Sequence, residues 1–94
     1  MITTVAMITI RAGHQEKVSN ILKAHVSRER KLKGCLQAYY KRAMNNDDTF
    51  LVFAEYDSLE SFQAAEKMDE QKDGGKVESI LRPHILKAFH GSFE

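Results

Sequence analysis

Thr49-Phe50-Leu51-Val52-Phe53-Ala54-Glu55-Tyr56-Asp57-Ser58-Leu59-Glu60-Ser61-Phe62 is the stretch on which the fold turns. Its first eight residues are β-branched, aromatic or aliphatic enough to form a strand. Successive side chains of a strand point to opposite faces, so Leu51 and Phe53 oppose Phe50, Val52 and Ala54. Both sets are apolar, the pattern of a strand covered on both faces rather than half in water. Asp57-Ser58-Leu59-Glu60 then reads as a capping box, with Asp57 as N-cap and Glu60 reaching back to it. The helix it opens presents Leu59, Phe62, Ala65 and Met68.

Upstream, Cys35 to Arg42 alternates around Tyr39-Tyr40 and predicts another strand. Asn45-Asn46-Asp47-Asp48 between the two strands is turn chemistry, so the pair is a hairpin. Further upstream, Val5-Ala6-Met7-Ile8-Thr9-Ile10 reads as a strand and is again apolar in both parities. Gly13 punctuates it. Residues 15–32 carry Val18, Ile21, Leu22, Val26 and Leu32 at helical spacing, and Lys31, Lys33 and Gly34 supply the ending expected of a helix. Downstream, Gly74-Gly75 interrupts, Lys76 to Leu81 fits a short helix stopped by Pro83, and Ile85 to Phe93 alternates as a last strand.

The order β-α-β-β-α-α-β is that of the ferredoxin-like split βαβ plait, an α+β class with four antiparallel strands and helices on one face. The whole chain, residues 1–94, reads as a single domain of this kind. No second helical layer is present to cover the other face of strands that are apolar on both sides. Leaving that face wet is costly, at about 25 cal/mol per Å² of apolar surface. A second copy, packed sheet against sheet, is the economical cover, which predicts a homodimer.

Composition narrows the functions. With 94 residues the core is thin; 43% hydrophobic and 29% charged residues make the chain globular rather than disordered. No apolar run approaches the roughly 20 residues of a membrane helix, and Met1-Ile2-Thr3-Thr4 lacks a basic n-region, so neither a membrane span nor a signal peptide is expected. The one cysteine, Cys35, allows no internal disulfide and suits a reducing cytoplasm. Residues 1–46 hold nine Lys/Arg against two acids, a balance of +7, and residues 47–94 hold five against eleven, a balance of −6. The split invites a nucleic-acid reading, but a pI of about 7.9 and a basic run without interleaved aromatics argue against it. Charge complementarity within a dimer accounts for it better.

Three segments carry a resemblance to a known family. Ile8-x-Ile10-Arg11-Ala12-Gly13-His14-Gln15-Glu16 resembles the strand-turn-helix opening of the antibiotic biosynthesis monooxygenase (ABM) domains. Lys33-Gly34-Cys35-Leu36-x-x-Tyr39 resembles their entry to the second strand, and Thr49-Phe50-x-x-x-x-Glu55-Tyr56-Asp57-Ser58-x-x-Ser61-Phe62 their third strand-to-helix junction. The resemblance implies a dimeric α/β barrel, two sheets face to face, with a small apolar pocket between sheet and helices in each subunit. It also implies a cofactor-independent monooxygenase or an isomerase acting on a small phenolic or quinone-like metabolite. Two departures are visible. Tyr56 stands where the family usually has Trp. The haem-degrading branch uses an Asn where this chain has Ala6, and a His on the helix before the last strand, where residues 76–81 have none.

Oxygenation without a cofactor needs a base, an electron-rich substrate and a dry pocket. Histidine is the natural base near neutral pH. Of His14, His25, His84 and His90, His25 lies on the apolar stripe of its helix, four residues after Ile21, and is the candidate catalytic base. His90, in the parity of Ala88, is a candidate for substrate binding. Tyr39 and Tyr40 point to opposite faces, so one of them faces the helices; together with Tyr56 they are candidates for binding a substrate oxygen or ring. Each has a competing reading as core packing. His14 is expected to be solvated and His84 structural, and Arg28-Glu29-Arg30-Lys31 reads as a solvated helix end. No spacing typical of metal ligands or phosphate loops occurs. The competing function is a non-catalytic domain that binds a small ligand or a protein partner; an empty cavity ending at His25 would favour the enzyme, a filled core the interaction role.

Overall fold

The computed structural model describes residues 1–72 and 77–94, with side chains described outside 69–72 and 78. Its elements are β1 (Ile2–Ile10), α1 (Gln15–Glu29), β2 (Cys35–Ala43), β3 (Asn46–Tyr56), α2 (Leu59–Lys72), α3 (Val77–Leu81), a 3-10 turn (Arg82–His84) and β4 (Ile85–Phe93). The strands form one antiparallel sheet in the order β2-β3-β1-β4, the ferredoxin-like plait expected from the sequence. The expected break at Gly74-Gly75 and the start of the third helix at Lys76 lie outside the described residues.

Register assigns the faces. Ile8 pairs with Phe50, Ala6 with Val52 and Thr4 with Ala54 across β1–β3, and Tyr40 pairs with Val52 across β2–β3. These even-numbered positions face the helices. Ile8, Ile10, Val18, Leu22, Phe50 and Leu81 make one buried cluster; Val26, Ala38, Ala54, Tyr56 and Ala65 make a second. On α1 the buried set is Val18, Leu22 and Val26, a stripe at four-residue spacing.

The odd-numbered positions form the open face. Met7 lies between Leu51 and Phe89, Val5 opposes Phe53, and Phe93 opposes Thr3. Met7, Phe89 and Phe93 are each more than half exposed. Tyr39 stacks on Phe53 on this face, ring centroids 4.9 Å apart. The two-sided apolar pattern of the strands is therefore present as an uncovered apolar sheet.

Local chemistry shifts several boundaries. α1 stops at Glu29 rather than continuing to residue 32: the Lys31 and Leu32 amides bond Arg28 and Glu29 carbonyls three residues back, tightening the chain into a turn. Gly34 follows in left-handed backbone at φ +84°, and a Cβ there would stand 2.1 Å from Ser61 Oγ and 2.7 Å from Asp57 Oδ1. The Asp57 amide bonds the Gly34 carbonyl at 2.8 Å, so this glycine locks the β2 entry against the start of α2 instead of capping α1. Ser58, not Asp57, caps α2: its Oγ accepts the Ser61 amide at 3.2 Å. The β2–β3 turn is tighter than the Asn45–Asp48 cluster suggested, because Ala43 already pairs with Asn46. His14 is not simply solvated; its Nδ1 lies 3.0 Å from Nδ1 of His84, joining the start of α1 to the turn before β4.

Candidate functional site

A cavity of about 260 Å³ lies between the sheet and the helices, with walls from both buried clusters. Small residues leave it open. On the helix-facing side β1 presents Thr4 and Ala6, β4 presents Ser92, and α2 presents Ala65. Side chains this short do not reach across the gap that Leu22, Val52, Phe62 and Leu81 border. The floor is therefore largely apolar, and ionisable groups enter the lining from α1 as His25, Arg28 and Glu29 and from α2 as Glu66.

His25, Arg28 and Glu29 all line the cavity from the second half of α1. His25 and Glu29 are one turn apart, and His25 Nε2 lies 2.9 Å from Glu29 Oε1. Their side chains are 12% and 15% exposed, so the pair sits largely out of water. Tyr56, at the end of β3, is 2% exposed and donates its hydroxyl hydrogen to Glu29 Oε2. Its ring packs against Phe62 at 5.8 Å. Burial pushes the Glu29 carboxyl up, but His25, Tyr56 and Arg28 outweigh this and hold it below its ordinary range. Glu29 is thus a carboxylate with both oxygens bonded, in the wall of an apolar cavity.

Of the residues singled out in the sequence, the structure brings together His25, Tyr56 and His90. His90 pairs across from Ala6 on the helix-facing side and is exposed, which puts it at the open edge of the cavity. Tyr40 faces the helices but is not part of the lining; its hydroxyl meets Ser19 Oγ at 3.0 Å and its ring lies against Phe50. Tyr39 is on the open face, away from the cavity. Glu29 is the residue sequence reasoning missed. It sits in a run of charges that reads as a solvated helix end, and the available signal was its four-residue spacing from His25. Among the described residues, no group of three or more His, Cys, Asp or Glu side chains is arranged to hold a metal ion, and no helix is long and apolar enough to cross a membrane.

A family model for antibiotic biosynthesis monooxygenase matches residues 1–76. A search among curated proteins finds no match. Several solved structures share the fold. A protein of Deinococcus radiodurans classed with the antibiotic biosynthesis monooxygenases is similar at a TM-score of 0.86 and 15% identity, over 100% of this chain and 91% of its own. One of Nitrosomonas europaea, classed likewise, aligns at 0.85 and 8% identity, over 100% of this chain and 97% of its own. SnoaB of Streptomyces nogalater, a cofactor-independent oxygenase, aligns at 0.82 and 17% identity, over 99% of this chain and 90% of its own. At these identities the likeness is one of fold.

Proposed function

The chain belongs to the antibiotic biosynthesis monooxygenase family, and from that premise we propose that it oxygenates a small phenolic or quinone-like metabolite in the cavity beneath α1, with His25 as the base. The observation that carries this reading is the position of His25, largely buried in the wall of a mainly apolar cavity beside Glu29 and Arg28. An imidazole held there can take a phenolic or activated C–H proton. The resulting anion gives an electron to O2, and the radical pair combines into a hydroperoxide at carbon. Loss of water from that species leaves a carbonyl. One oxygen atom stays in the product and one leaves as water, so the substrate itself supplies the electrons. An apolar cavity suits this sequence because water would intercept the intermediates. His90, at the open edge, and Tyr56, in the wall, are the proposed substrate contacts; Arg28 adds positive charge on the side where an anion forms.

We also propose that a second copy of the chain covers the open sheet face, a reading supported by the exposed apolar row around Met7 and Phe89.

Oxygen uptake with 1,4-dihydroxynaphthalene and with anthrone, each measured above its uncatalysed rate, tests the activity. Wild-type protein should turn over at least one of them. His25→Ala should lower the rate by about 100-fold or more in protein that is still folded by circular dichroism, with a lower melting temperature because Glu29 loses its Nε2 partner. A folded His25→Ala protein with full activity removes His25 from the mechanism. Saturable binding of both compounds without oxygen uptake would instead favour a ligand-binding domain.

A further inference from the structure

The geometry points to Glu29 as the residue that decides which nitrogen of His25 does the chemistry, by accepting the proton on Nε2 so that the lone pair is on Nδ1. The inference rests on the reading of His25 as a base.

An ionised carboxylate has only lone pairs to offer; it accepts and cannot donate. Oε1 lies 2.9 Å from His25 Nε2, so a neutral imidazole in this contact must carry its hydrogen on Nε2. The other nitrogen, Nδ1, is then the proton acceptor. Glu29 stays ionised near neutral pH, because His25, Tyr56 and Arg28 offset the cost of its burial. Tyr56 completes the arrangement: its hydroxyl donates to Oε2, occupying the second oxygen and fixing the carboxylate plane. Tyr56 is itself immobilised, 2% exposed and packed on Phe62, so the orientation is transmitted from the β3 core to the imidazole.

Glu29 is therefore a positioning residue. Its part is to orient the ring and to stabilise the imidazolium formed once His25 has taken a proton. This is the role a buried carboxylate has in hydrolase triads, where it holds the histidine in one tautomer without being protonated itself. Here the carboxylate comes from one turn further along the same helix, and the group that orients it comes from a strand.

Long-range proton–nitrogen NMR spectra of the histidine rings test the tautomer without needing a substrate. In wild-type protein at neutral pH or above, the neutral form of His25 should show its hydrogen on Nε2, in a hydrogen-bonded, slowly exchanging resonance. Glu29→Ala should lose that resonance, and Tyr56→Phe should broaden it while the fold is retained. A wild-type His25 with its hydrogen on Nδ1 overturns the inference, as does a resonance unchanged in folded Glu29→Ala protein. With a turned-over substrate, Glu29→Gln should lower kcat by about 10- to 100-fold with KM changed by less than about threefold. A loss confined to KM would also overturn it. Absence of oxygen uptake by the wild type counts against the oxygenase reading alone, since the NMR arm decides the tautomer independently.

Discussion

At the scale of single residues, Glu29 couples stability to pH. Its carboxyl is held below the ordinary value of 4.5 by His25, Tyr56 and Arg28 in spite of burial. A group whose folded pKa is depressed contributes stability above its unfolded pKa, and loses that contribution as the pH falls through the folded one. Replacing it with Gln should therefore cost about 1–3 kcal/mol at pH 7, and the gap to wild type should close as the pH drops below 4.5. Urea denaturation of both proteins at pH 7 and at several steps below that value checks this; a gap that stays constant down to acid would show that the carboxylate charge contributes nothing. Sequence reasoning reached His25 because its helical phase with Ile21 is a local, repeating signal. It did not reach Glu29, because what takes this residue out of solvent is Tyr56, 27 positions away in sequence and adjacent only after β3 packs under α1. The assignment of Tyr39 and Tyr40 to faces likewise waited for the register that sets Tyr40 opposite Val52.

At the scale of elements, two glycines with the same backbone geometry have different neighbours. Gly13 and Gly34 both have φ near +83°. Around Gly13 nothing lies within 4 Å of a would-be Cβ, whereas at Gly34 that atom would collide with Ser61 and Asp57. Gly13→Ala should cost only the left-handed backbone penalty, about 1–2 kcal/mol. Gly34→Ala adds a clash that α2 must move to relieve, and should cost about 2–4 kcal/mol in total. Thermal melts of the two variants make the comparison, and equal losses would mean that the contact between the β2 entry and α2 yields freely. The order and type of the four strands and three helices were legible in the sequence, since alternation and helical spacing act over a few residues; the 3-10 turn at Arg82–His84 was not. Ends were less so. Asp57 and Ser58 are both good caps, and the choice between them depends on Asp57 being drawn to Gly34 by a backbone hydrogen bond. That contact joins residues far apart in sequence and leaves no local trace. The meeting of His14 with His84 is of the same kind.

At the scale of the whole molecule, the sheet has one face under helices and one apolar face without cover. Met7 is 52% exposed and stands in register between Leu51 and Phe89, near the middle of that face. Met7→Lys should leave the isolated subunit folded, because the side chain already reaches solvent there. It should nevertheless shift a dimer to monomers in sedimentation at micromolar concentration. A wild-type chain that sediments as a monomer would sink the proposed pairing. Two-sided strands announced this face in the sequence, although periodicity alone cannot say what lies on it. In the proposed pairing, substitutions on this face count differently. In a two-fold contact every side chain is present twice, once from each chain. A homodimer of variants then carries the penalty of one codon change two times, while a mixed dimer with wild type carries it once. In that pairing, the effect of an altered side chain in the open row around Met7 would be halved by an unaltered partner.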